Sequence, residues 1–202
     1  MLVAPAFSSP RLTFRAMVAD KDAPFFVDMW GDAQTQFQAM GSACQPLKGS
    51  KIEEIVKHLE KSTLSVMICL PATSTDGPEA KETVIGWMQL HERQAGSPHR
   101  KADLGLSLHR DHQGKGYGKE AIRWLLEMAF LSHSFHRIEC EAFVWNEAAV
   151  KVYTSLGFKE EGRKRESMWQ AGAWRDEVIL AILEQDWREA NPDKLQPGAS
   201  GL

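Results

Sequence analysis

The stretch His109-Arg110-Asp111-His112-Gln113-Gly114-Lys115-Gly116-Tyr117-Gly118-Lys119-Glu120 decides how this chain is read. Its three glycines stand at alternate positions. An apolar, strand-like run over 103–108 precedes them. After them comes 119–133, where Ile122, Leu125, Leu126 and Ala129 recur at helical spacing. A glycine-rich turn between a strand and a helix leaves backbone N–H groups uncovered at the positive end of the helix dipole. Such a turn holds an anion, usually a phosphate.

Three kinds of phosphate turn compete for this pattern. A nucleoside-triphosphate loop requires four residues between its first glycine and a Gly-Lys-Ser/Thr ending. Here Gly118-Lys119 runs into Glu120, so the metal-binding hydroxyl is missing. A dinucleotide fingerprint requires Gly-x-Gly-x-x-Gly in the opening strand-turn-helix unit. This chain offers Gly-x-Gly-x-Gly, one residue short and far from its start, although Glu139 and Glu141 fall near the distance of a ribose-binding acid. The third fits better: Gln113-x-x-Gly116-x-Gly118 resembles the pyrophosphate signature Gln/Arg-x-x-Gly-x-Gly/Ala of the GNAT superfamily of acyl-CoA-dependent N-acyltransferases.

Other segments extend the resemblance. A β-rich run over 137–145 leads to Asn146, then to a short helical segment bearing Tyr153, and closes at Leu156-Gly157-Phe158. This is similar to the family's second signature. It is also sound local structure, because Asn146 is a good helix N-cap and Gly157 a good terminator. Pro10-Arg11-Leu12-Thr13-Phe14-Arg15, followed by Asp20 and Asp22, resembles the opening of the branch that contains the ribosomal-protein N-terminal acetyltransferases. The segment from Gly162-Arg163 to Gly172-Ala173-Trp174-Arg175-Asp176 resembles that branch's closing hairpin.

Composition sets bounds. The 202 residues are 43% hydrophobic and 25% charged, as expected of one soluble globular domain. A net charge of −3 lacks the electrostatic footprint of a nucleic-acid binder. The cluster Arg163-Lys164-Arg165 is flanked by Glu160, Glu161 and Glu166 and reads as a solvated face. Cys44, Cys69 and Cys140 are odd in number and lack metal spacing; a reduced compartment is the simplest reading. No run approaches the ~20 apolar residues of a membrane span, and MLVAPAFSSP lacks the basic region of a secretory signal. The expectation is a cytoplasmic protein, the nucleus not excluded, with no membrane, nucleic-acid or metal partner.

Along the chain, helices are expected over 24–40 and 49–61, and strands over 63–70 and 83–91, with a loop over 71–81 between the strands. A hairpin is expected around 170–172. Residues 1–9 read as a flexible lead, 10–188 as the domain, and 189–202, with its Pro, Gly and Ser, as a disordered tail. The order of elements implies an α/β (α+β) single domain with a mixed, partly antiparallel twisted sheet flanked by helices. The resemblance adds that the central parallel strands, 103–108 and 137–145, splay apart.

The resemblance also implies an activity: acetyl transfer from acetyl-CoA, as cosubstrate, to a primary amine by direct attack in a ternary complex. The acceptor is a protein N-terminus or a small amine, and the protein a monomer or homodimer. Backbone groups of Ser107, Leu108 and His109 would hold the pantetheine. Gln113, Gly114, Lys115, Gly116, Tyr117, Gly118 and Lys119 would hold the diphosphate, with Asn146 beside the arm. Tyr153 would face the sulfur. A phenol with pKa ~10 protonates a thiolate of pKa ~8.5 only at a cost of about 2 kcal/mol, so a hydrogen bond describes its part better than full transfer. The general base stays open between Asp103, Glu141 or Glu139 on the neighbouring strand, the strand-end pair His91 and Glu92, and a water relay. Trp30, Trp174 and His91 would border the acceptor. The alternative is a silent CoA-binding sensor or scaffold.

Overall fold

The computed structural model describes residues 7–41, 44–72 and 82–195. Its strands are β1 (Thr13–Ala16), β2 (Leu64–Leu70), β3 (Thr83–His91), β4 (Lys101–Leu108), β5 (Arg137–Phe143), β6 (Lys159–Gln170) and β7 (Ala173–Leu183). Its helices are α1 (Ala19–Gly31), α2 (Ala33–Ala39), α3 (Gly49–Glu60), α4 (Tyr117–Glu127), α5 (Glu147–Thr154) and α6 (Glu184–Ala190). The strands form one open sheet in the order β1-β2-β3-β4-β5-β7-β6. Neighbours are antiparallel except β4 and β5, which run parallel. The mixed sheet flanked by helices is the architecture expected from the sequence.

Strand alternation sorts the apolar side chains into two cores. On one face Ile68, Ile85, Leu104, Ile138, Leu180 and Ile182 pack with Ile122, Leu125 and Leu126 of α4. The ring of Phe14 stacks on Trp124 at 4.1 Å, a contact that contributes about 1 kcal/mol beyond its buried area. On the other face Met67 and Cys69 lie under Phe26, Met29 and Trp30 of α1 and Ile52, Val56 and Leu59 of α3. The buried residues of α3 recur at helical spacing and form one apolar stripe.

The single helix expected over 24–40 is instead two. The break falls at Asp32, whose extended backbone (φ −83°, ψ 117°) leaves α1 and whose carboxylate caps α2 through the Thr35 N–H at 2.8 Å. An aspartate competes with the helix for its own N–H groups, and here the cap wins. The first of the two also begins earlier, at Ala19. Buried Asp22 reaches back to the Val18 N–H at 2.8 Å and takes a fork of bonds from Arg15 at 2.8 and 2.6 Å. Burial pushes the Asp22 carboxyl up, but the bonds from Arg15 and Val18 outweigh it and hold the group below its usual range.

Described structure is also present on either side of 10–188. Ser8 bridges to Thr13, and the Ser9 hydroxyl bonds to Glu120 at 2.7 Å. At the other end α6 is followed by a 3-10 turn over Pro192–Leu195, with Lys194 on Glu127 at 2.9 Å. The remainder of the expected lead and tail, and positions 73–81 of the expected loop, lie outside the described residues. Among the described residues no helix is long and apolar enough to cross a membrane.

Candidate active site

The parallel pair β4–β5 is joined only from the Lys101–Arg137 pair to the Asp103–Glu139 pair. Beyond it both strands continue, β4 bonded to β3 as far as Leu108 and β5 to β7 as far as Phe143. Each strand follows its outer neighbour, so the twist of the sheet carries them apart. The splay expected between these strands is present. His109 N–H bonds to Ile85 on β3 at 2.8 Å. By alternation Ser107 points the same way, while the N–H and C=O groups of Leu106 and Leu108 face the gap. Of the three residues expected to offer backbone to an acyl carrier, Leu108 is the one so directed.

A cavity of about 450 Å3 occupies the open end. Ser107, Leu108, Gln113, Gly114, Gly116, Tyr117, Gly118, Lys119, Asn146 and Tyr153 line it, so most of the residues singled out in the sequence converge there. The turn is built as its glycines require. Gly116 caps α4 with φ +81°, a conformation that a side chain rarely adopts. The first backbone bond of the helix runs from Glu120 to Gly116, which leaves the N–H groups before it aimed outward. Gln113 donates to the Leu108 carbonyl at 2.9 Å, fastening the turn to the strand end. These features fit a diphosphate. Lys115 lies outside the cavity lining; its ammonium donates to the Asp111 carbonyl at 2.8 Å. The imidazole of His109 likewise turns away, to Asp28 and Asp111 at 3.3 and 3.6 Å.

Tyr153 comes from α5, which Asn146 caps through the Ala149 N–H at 3.1 Å. The Asn146 amide also donates to Gln38 on α2 at 3.1 Å, so both of its ends are engaged. The Tyr153 ring packs on Phe158 with centroids 5.4 Å apart. Its hydroxyl bonds to none of the described residues. Burial, then the neighbouring Cys140, pushes the phenol well above its usual pKa. It keeps its proton and offers it as a donor.

The other candidates lie elsewhere. Asp103 is bound by Arg93 at 2.7 Å and Glu141 by Lys164 at 2.7 Å, on the alternate face of β4 and β5. Glu139 is held by Lys101 and Arg137, each at 3.0 Å. His91 meets the tilted ring of His58 with centroids 4.6 Å apart and, with Asp103, lines a separate hollow of about 130 Å3. Trp30, expected at the acceptor, is buried in the α1–α3 core. Trp174 is exposed and pairs edge-on with Trp169 at 5.3 Å. No carboxylate or imidazole lines the cavity among the described residues.

The sequence reading missed two contributors. One is α2, whose Thr35, Gln38 and Ala39 close the cavity and which is anchored by the Trp145 indole on the Phe37 carbonyl at 2.8 Å. The other is Arg11. Its guanidinium grips Glu120 at 2.7 Å, the Lys115 carbonyl at 3.0 Å and the face of Tyr117 at 4.7 Å, bracing the turn from outside. Nothing local marks either, since their partners lie about a hundred residues away in the chain.

Comparison with known proteins agrees with this geometry. Residues 11–159 match the family described as Acetyltransferase (GNAT) domain, and the chain belongs to that family. It is 33% identical over 105 residues to Probable N-acetyltransferase YjcK of Bacillus subtilis, covering 52% of this chain and 58% of that protein. It is 31% identical over 110 residues to the ribosomal protein uS5-alanine N-acetyltransferase of Escherichia coli, covering 54% and 56%. The chain thus spans little more than half the length of these relatives. Its fold matches the crystal structure of spermidine N-acetyltransferase from Vibrio cholerae in complex with CoA and spermine, with a TM-score of 0.72 and 23% identity over 89% of this chain and 99% of that one.

Proposed function

We propose that the protein transfers the acetyl group of acetyl-CoA to a primary amine in the cavity between β4 and β5. One observation carries the reading: the phosphate turn and the unbonded hydroxyl of Tyr153 line the same cavity. Acetyl-CoA supplies an activated acyl group and a thiolate leaving group. The turn from Gln113 to Lys119 binds its diphosphate, and Leu106 and the Leu108 N–H offer backbone bonds to the arm, the Leu108 carbonyl being engaged by Gln113. Tyr153 donates a hydrogen bond to the sulfur as negative charge grows there. With its pKa raised by burial, complete proton transfer from the phenol costs more than the ~2 kcal/mol of an ordinary tyrosine, so the bond rather than the transfer is its contribution.

The acceptor is an amine that arrives substantially neutral. No carboxylate or imidazole lines the cavity among the described residues, and the nearest strand carboxylates are held in ion pairs. An α-amine with pKa ~7.8 is largely able to lose its proton to solvent near neutrality, whereas an alkyl ammonium of pKa ~10.4 carries a free-base deficit of roughly 400-fold. This supports a peptide N-terminus over a lysine side chain or polyamine. The test is thiol release from acetyl-CoA with N-terminal peptides, N-blocked lysine peptides and spermidine across pH. A peptide rate that rises and levels near pH 8 is expected. Faster turnover of spermidine at pH 7 would overturn the acceptor assignment.

A further inference from the structure

A second cavity, of about 580 Å3, adjoins the first and shares Gly116 and Lys119 with it. Its charged lining consists of Arg11, Lys119, Glu120, Arg123, Glu127 and Lys194. Both acids are already matched, Glu120 to Arg11 at 2.7 Å and Glu127 to Lys194 at 2.9 Å. Lys119 and Arg123 have no ion pair or hydrogen bond with any described residue. They stand four residues apart on one face of α4, about 6 Å along its axis. The wall that carries the phosphate turn therefore ends in two positive charges that no described residue neutralises.

Their surplus matches a phosphate monoester, which carries about −1.5 to −2 charges near neutrality. Resting on the acetyl-CoA reading above, we propose that Lys119 and Arg123 receive the 3′-phosphate of coenzyme A. This group is a ribose away from the diphosphate and absent from many other nucleotide carriers. Lys119 lines both cavities and stands between the two phosphate positions. Arg123 lines only the second, so it is the residue that distinguishes coenzyme A from its 3′-dephospho form. A guanidinium presents the paired donors that suit a phosphate.

Isothermal titration with coenzyme A and with 3′-dephospho-coenzyme A tests this. The native protein is expected to bind coenzyme A about tenfold more tightly, equivalent to about 1.4 kcal/mol. Arg123→Ala removes most of that ratio and leaves the dephospho affinity unchanged; Arg123→Lys restores part of it. Arg123 is exposed, so its substitution leaves the core intact. Equal affinities in the native protein, or a ratio that survives Arg123→Glu, overturn the proposal while leaving the acetyl-transfer reading in place. Failure of both compounds to bind overturns both.

Discussion

The two halves of the β4–β5 pair are made from the same two strands and behave oppositely. In the joined half, Lys101, Asp103, Arg137 and Glu139 sit at or beside the ladder and bind one another or their neighbours in ion pairs. In the open half the ladder is gone, and Leu106, Leu108 and Tyr153 face a cavity closed by helices. The site arises where pairing is withheld. Strand edges with unmet N–H and C=O groups demand a partner, and an extended ligand arm can serve as one. The joined half holds the gap at fixed width.

Disturbing each half separately sharpens the contrast. The largest effect belongs to Gly86→Val, in β3 against the open half. A Cβ there would meet the Ser107 carbonyl oxygen at 2.5 Å and Leu108 at 2.6 Å. Forcing β4 away costs about 3 kcal/mol, seen as a lower urea midpoint, and the change in the gap abolishes coenzyme A binding by titration. Arg137→Ala, in the joined half, removes bonds to Glu139 at 3.0 Å and Glu161 at 2.7 Å. Both acids retain access to solvent, so the loss is about 1 kcal/mol in thermal or urea unfolding, with coenzyme A affinity unchanged. Loss of affinity in that variant would mean that the halves are not separable.

Alkaline pH probes the buried interior more gently. Burial raises Cys140 and Tyr153, beside the open half, well above their ordinary values and, in the core on the other face of the sheet, pushes the Cys69 thiol to about 11. A group whose folded pKa exceeds its unfolded one contributes its full stability below the unfolded value. That stability is lost as pH rises toward the folded value, because the unfolded chain gives up its proton first. Stability measured by urea titration is therefore flat to about pH 8.5 and declines above it. Cys140→Ala flattens the decline, and an unchanged curve in that variant would contradict the burial of this strand's inner face.

What the sequence disclosed follows the same division. The turn was legible because its chemistry is local: a capping glycine at Gly116, an amphipathic helix after it, and Asn146 and Gly157 at the ends of α5. Period-two and period-3.6 patterns likewise located most strands and α3. The break at Asp32 was hidden because helical residues flank a single side-chain cap on both sides. Trp30 could not be placed by type, since a tryptophan serves a core or a groove equally well, and packing against α3 decided it. The brace by Arg11 and the closure by α2 depend on contacts across the whole chain. The splay itself was legible only through family resemblance, because loss of pairing leaves no pattern in either strand.

The most direct measurement is single-turnover acetyl transfer by Tyr153→Phe, paired with calorimetric binding of coenzyme A. Removing one hydroxyl from a buried ring that packs on Phe158 leaves the cavity's shape intact. A transfer rate lower by about 100-fold is expected, with binding unaltered. A variant that transfers acetyl at the native rate would contradict it.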